Sequence, residues 1–268
     1  MTTTHEYTDQ TNAPKLYSAP FYCFLVLLHH FNLNNINESQ IEDLNYVFKN
    51  KDFFPDNKLI EKLGKSPIFV TWEEKNENQA YDLRGCIGTF AKLDIQKGLR
   101  TYSLTAALKD PRFPPIIKKE VENLKCKVSI LTEFKIIYDK VITDTRMHHI
   151  DPNKDNNNFW IHIEKNFKIL PEDSDNTNGI EIVFAYYGKK YSATFLPEVM
   201  IDHEMDTKAT FEHLLLKALS GDHKNLDDLD LLKRVIMKDP KEYIDKVIVY
   251  KSIKSSMDYN QFINKLLH

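Results

Sequence analysis

The run Leu83-Arg84-Gly85-Cys86-Ile87-Gly88-Thr89-Phe90 constrains the folding of this chain more than any other stretch. It reads as a strand, yet two glycines stand inside it, and the whole chain of 268 residues has only 7. A glycine within a strand packs nothing and weakens the ladder. It marks a bulge, or a place where a ligand or a second backbone comes close. If the strand is regular, Arg84, Cys86 and Gly88 project to one face, with a cation and a thiol beside bare backbone. That face suits an anion-binding or thiol-dependent pocket. It suits equally a strand packed under a helix with a buried, inert cysteine.

The flanking segments place this strand in an α+β fold. Ser18 can cap a helix with Pro20 in its first turn, and the apolar run Phe21–Leu28 predicts that this helix is buried on most sides. A second helix is expected over Ile41, Leu44, Val47 and Phe48. Ile68–Trp72 reads as an inner strand and Glu73–Gln79 as a loop. Asp94 caps a helix carrying Ile95, Leu99, Tyr102 and Ala106, which Pro111 stops. Asp110-Pro111-Arg112-Phe113-Pro114-Pro115 must be extended or turning, because three prolines forbid a ladder. Cys126–Leu131 is a strand with Lys125 and Lys127 facing out and Cys126, Val128 and Ile130 facing in. Further on, Ile180–Phe184 and Tyr191–Leu196 form a hairpin at Gly188. Helices follow from Asp206-Thr207 and over Leu226–Ile236, then a strand near Val247–Tyr250 and a terminal helix over Tyr259–Leu267. Strands joined by hairpins and uneven helices point to a mainly antiparallel sheet with flanking helices, in two lobes of one domain.

Residues 1–12 read as a solvated tail and 13–268 as the domain. Within it, 144–178 is rich in Asp and Asn and is expected to be a surface insertion with Phe159–Ile163 as a short ordered piece. A net charge of −3 speaks against wrapping nucleic acid, so a nucleic-acid partner is not favoured. The longest apolar run, Phe21–Leu28, is too short to span a bilayer, and no membrane partner is expected. Three cysteines are too few for a disulfide framework, and the polar N-terminus lacks a signal-peptide pattern. Both point to the cytoplasm, with access to the nucleus.

The motif and its neighbours resemble the AMMECR domain family, named for the Alport-syndrome, midface-hypoplasia and elliptocytosis chromosomal region. Leu83–Phe90 is similar letter for letter to the family's signature. Pro67–Trp72, Asp110–Ile116, Leu124–Thr132 and Ala193–Val199 resemble four more of its blocks, in the family's order. The resemblance implies a eukaryotic member with an α+β fold of a larger and a smaller lobe, and with the signature lining a cleft. Prokaryotic relatives lie beside Memo-like and radical S-adenosylmethionine proteins, which implies an enzymatic or enzyme-assisting role. One position departs: Asn178 stands where the family carries a histidine, leaving His148, His149 or His162 to replace it.

Two functions fit these residues. In the first, the chain is an enzyme or enzyme partner for a small-molecule, nucleotide or RNA substrate. Arg84 holds an anionic group that Gly85 and Gly88 let approach, and Thr89 and Arg112 complete the ligand-binding set. Cys86 is the nucleophilic or redox thiol, with Asp110 and Glu198 as acid–base groups. In the second, the same cleft is a non-catalytic binding or adaptor module for a metabolite or a protein partner, and Cys86 is structural. His148-His149 with Asp151 lacks the spacing of a metal site, no nucleotide-cradling glycine motif is present, and the sequence assigns no cofactor.

Overall fold

The structure, a computed structural model, describes residues 17–33, 62–141, 155–173, 176–220 and 226–267. The expected N-terminal tail and the helix over Ile41–Phe48 lie outside these residues. Six strands pair in the order β2-β1-β3-β6-β4-β5: β1 Lys65–Lys75, β2 Tyr81–Asp94, β3 Leu124–Asp139, β4 Gly179–Tyr186, β5 Lys189–Phe195 and β6 Ile244–Asp258. β1 runs antiparallel to β2 and β3, and β4 antiparallel to β5 and β6. With the flanking helices the class is α+β, as the sequence predicts. The chain divides into two compact units, one up to Ile130 and from Ile253 onward, the other Leu131–Ser252.

In the first unit, helix α1 (Ser18–His30) is buried at every residue from Ser18 to Leu28. Such a helix gets its stability from packing on all sides rather than from one apolar stripe. Its Phe24 meets Trp72 edge-on at 5.0 Å and stacks on Phe262 of the terminal helix at 5.1 Å. Tyr17 rather than Ser18 holds the N-cap position. Helix α2 (Ile95–Leu108) begins where the Asp94 carboxylate accepts from Lys97 N–H at 3.1 Å. It sits close on the sheet: the buried Trp72 indole donates to the Ser103 carbonyl at 2.9 Å, and a Cβ at Gly98 would stand 2.6 Å from Ile68. The core beneath it is Ile68, Val70, Trp72, Val128 and Ile130. β1 runs through Lys75, beyond the expected loop start at Glu73, because Glu73 and Glu74 still pair with β2 and β3.

In the second unit, the β4–β5 hairpin turns on Tyr187 (φ 46°) and Gly188 (φ 74°), two successive left-handed residues as a tight primed turn requires. The segment expected to be a surface insertion is more than that within its described residues. Asp155–Asn166 is a helix, α3, and Phe159, Ile163 and Phe167 belong to the buried core with Phe184, Phe211 and Leu214. Their spacing of four residues puts them on one helical face, which the Asn-rich start of the helix conceals in the sequence. A short helix, α4 (Pro197–Asp202), ends in a left-handed Glu204 (φ 49°), with Met205 N–H bonded to Met200 O at 2.9 Å and Glu204 N–H to Ile201 O at 3.0 Å. Helix α5 (Thr207–Leu219) follows, capped by Asp206, whose carboxylate accepts from Ala209 N–H at 2.7 Å. β6 is far longer than the expected Val247–Tyr250 and leads into the terminal helix Tyr259–Leu267.

Candidate functional site: a thiol row on the signature strand

The signature occupies β2, the edge of the sheet. Alternation along it is broken at one residue. Trp72 pairs with Gly85 and Glu73 with Leu83, so Arg84 is the extra residue of a β-bulge. The bulge explains why Arg84 does not share the open face with Cys86, as regular alternation would have it. Its side chain is 10% exposed and fully engaged: Nε and Nη2 donate to the Glu120 carboxylate at 2.8 and 3.2 Å, and Nη1 to the Pro114 carbonyl at 2.7 Å. Glu74 lies 3.7 Å away. Burial, then the charge of Glu120, raise the Glu74 carboxyl's pKa, and Arg84 opposes them. Glu120 also accepts from Ile117 N–H at 2.6 Å. Arg84 therefore fastens the proline-rich segment and the turn after it to the sheet edge.

The glycines have local neighbours as well. A Cβ at Gly85 would run into the Ala106 carbonyl of α2, and one at Gly88 into the Phe69 ring and the Ile68 carbonyl. Neither has a left-handed backbone; Gly64 and Gly188 are the positive-φ glycines among the described residues. Gly85 thus admits the helix, and Gly88 admits Phe69, which meets the ring of Phe90 at 4.9 Å. The Thr89 hydroxyl accepts from Ala91 N–H at 3.1 Å.

Asp110 and Arg112 form the second half of the site. The Asp110 carboxylate, 2% exposed, accepts from Cys86 N–H at 2.8 Å, from Arg112 N–H at 3.1 Å, and from Arg112 Nε and Nη2 at 3.0 and 2.7 Å. The Arg112 side chain, with help from these backbone N–H groups and against its burial, holds the Asp110 carboxyl far below the usual carboxylate range. So Asp110 stays ionised and is a poor proton carrier. It caps the edge of β2 and aims Arg112. Arg112 is 54% exposed, donates to the Cys86 carbonyl at 3.2 Å, and lies 5.4 Å from the Phe113 ring centre. The Asp110 carboxylate, and more weakly the Cys86 sulfur, push its pKa up, so it is permanently charged. Of the two candidate arginines, Arg112 is the one beside the thiol with solvent access.

Register supplies what the sequence did not show. Thr71 of β1 pairs with Cys86 on one side and with Lys127 of β3 on the other. Thiol, hydroxyl and ammonium therefore stand in one cross-strand row on the face opposite Ile68, Val70 and Trp72. The Thr71 hydroxyl donates to Cys86 Sγ at 3.0 Å, and Lys127 pairs with Glu73. Cys86 is half-buried, while Cys23 and Cys126 are buried and no cysteine is in a disulfide. Burial, then the neighbouring Cys23 thiol, push the Cys126 thiol well up. The other nominated carboxylate, Glu198, lies in the second unit, in the first turn of α4. There burial raises the Tyr250 phenol, and the charges of Glu198 and Glu181 add to it. His162 is bonded to the Ile137 carbonyl at 2.6 Å, and His148 and His149 lie outside the described residues. Among the described residues no group of three His, Cys, Asp or Glu could hold a metal ion, and no helix is long and apolar enough to cross a membrane.

An α+β chain with this signature on its edge strand has known relatives. The model of the AMMECR1 family matches residues 21–232. An uncharacterized protein of Kluyveromyces lactis is 33% identical over 90% of this chain and 91% of its own length. One of Saccharomyces cerevisiae is 33% identical over 92% and 87%. The crystal structure of an uncharacterized protein from Pyrococcus horikoshii is similar in fold, with a TM-score of 0.52 at 20% identity over 91% of both chains. The chain belongs to the AMMECR1 family.

Proposed function

We propose that the chain is an enzyme, or the substrate-holding partner of one, acting on a small anionic molecule through the Cys86 thiol. The hydrogen bond from Thr71 to Cys86 Sγ carries this reading. A hydroxyl that donates to sulfur, and a guanidinium nearby, favour the thiolate, which is the nucleophilic form. Arg112 Nη1 is not among the donors bonded to Asp110 or to Cys86, so Arg112 has donor capacity for an anionic substrate group. The thiolate would attack an electrophilic carbon whose leaving group departs with its electron pair. The alternative, a binding module, draws support from the structural duties of Arg84, Gly85, Gly88 and Asp110, the residues a catalytic reading needs for the ligand and the proton.

Two alkylating reagents that differ in charge separate the readings. Iodoacetate carries the anion Arg112 would receive, and iodoacetamide does not. The thiol-enzyme reading expects the ratio of iodoacetate to iodoacetamide rates at Cys86 to exceed that of a free thiol, and to fall to the free-thiol value in Arg112→Gln. A ratio that Arg112→Gln leaves unchanged would remove the anion-orienting role, and a silent Cys86 would leave the binding module.

A further inference from the structure

The second unit contains a groove of about 460 Å³ that the thiol row does not use. The end of α3 and the turn after it form one wall, with Phe167, Ile169 and Leu170. The end of α4 forms the other, with Met200 and Met205. Phe167 and Met200 are buried to 1% and 0% exposure and make the floor, while Leu170, 37% exposed, stands at the mouth. The first wall is fixed in place. The buried Thr177 hydroxyl accepts from Leu170 N–H at 2.9 Å and donates to the Leu170 carbonyl at 3.1 Å. The second is set by the paired bonds that close α4. A binder therefore meets preformed walls and need not order them.

The charge at the rim is one-sided. Glu164, Glu204 and Asp206 line it against the single cation Lys168. Asp206 caps α5 and also lines the groove. Long-range attraction at such a rim favours a cationic partner, and the apolar floor favours aliphatic or aromatic anchors. Two methionines let the floor adapt to anchors of different shape. A volume of this size takes two or three side chains, too few for a folded surface and enough for one face of a helix.

We propose that this groove docks a basic amphipathic helical segment of a partner protein, its apolar residues against Phe167, Met200 and Met205 and its lysines or arginines toward Glu164 and Glu204. The site is separate from Cys86, and its occupant need not be the substrate.

The test uses the full chain and a fluorescein-labelled 14-residue Lys/Leu amphipathic peptide, with a Glu/Leu peptide of the same pattern as control. Anisotropy should show saturable binding of the Lys/Leu peptide that weakens with salt. Glu164→Gln with Glu204→Gly should weaken it about five- to tenfold. Glycine relieves the left-handed backbone at 204, so that variant is expected to fold. Leu170→Gln should weaken binding by a similar factor, and Glu122→Gln in the first unit should leave it unchanged. Hydrogen exchange should show protection at 164–171 and 200–207. Equal binding of the Glu/Leu peptide, no binding, indifference to the groove variants, or protection elsewhere would each overturn the proposal.

Discussion

Gly85 and Gly88 are bare because neighbours occupy the space a side chain would need. At Gly85 the obstacle is a backbone carbonyl, which cannot swing away. Gly85→Ala should therefore cost about 1–3 kcal/mol in a denaturant titration. Gly188, with φ 74° and open space around it, should accept Asn, a residue tolerant of left-handed backbone, within about 1 kcal/mol. Equal costs at the two positions would contradict the packing account. Asp110 makes a pH prediction. Its folded carboxyl titrates below its unfolded value, so the stability it contributes is complete above about pH 4 and is lost as pH falls below that. Asp110→Asn should be less stable than the parent by about 1–3 kcal/mol at neutral pH, and the gap should narrow in acid. A gap that is flat from pH 7 to pH 3 would show that ionisation of Asp110 does not contribute. Asp110 and Arg112 are both candidates in the sequence, but their mutual grip depends on a turn whose geometry no spacing reveals. Regular alternation puts Arg84 on the open face; Gly85 signals that a bulge is possible there, but the letters do not say which residue it displaces.

At the scale of elements, most helices and strands were legible from periodicity and caps, as with Asp94 and Asp206. The row Cys86–Thr71–Lys127 was not, although Lys127 was read as outward-facing. Register between strands more than 50 residues apart is set by the packing of both faces, which a single sequence does not display. Helix α3 is legible in part: Phe159, Ile163 and Phe167 carry a helical period, which the Asn and Asp residues before them mask. Their burial makes this helix part of the second unit's core. Phe159→Ala should cost about 3–5 kcal/mol, read from chemical denaturation. A cost below about 1 kcal/mol would restore the view of a dispensable surface insertion.

For the molecule as a whole, two cores of different make-up serve different ends. The first joins α1, α2 and the signature strand's neighbours around Trp72 and puts two cysteines, Cys23 and Cys126, out of reach. The third cysteine lies on the opposite face of the same sheet, beside a hydroxyl and an exposed guanidinium. The pattern of strands and helices set the class, and the motif set the family. Neither could say which glycine, arginine or carboxylate has a structural duty and which is left for chemistry, because that division depends on contacts between distant segments. Cys86 is proposed as the chain's reactive thiol, with Thr71 and Arg112 as the groups that activate it. Timed iodoacetamide labelling of the folded protein at neutral pH, read by peptide mass spectrometry, tests this directly. Labelling at Cys86 should run well ahead of Cys23 and Cys126, and the Cys86 rate should drop several-fold in Thr71→Val and in Arg112→Gln. Equal silence at all three thiols, or a Cys86 rate indifferent to both substitutions, would contradict it.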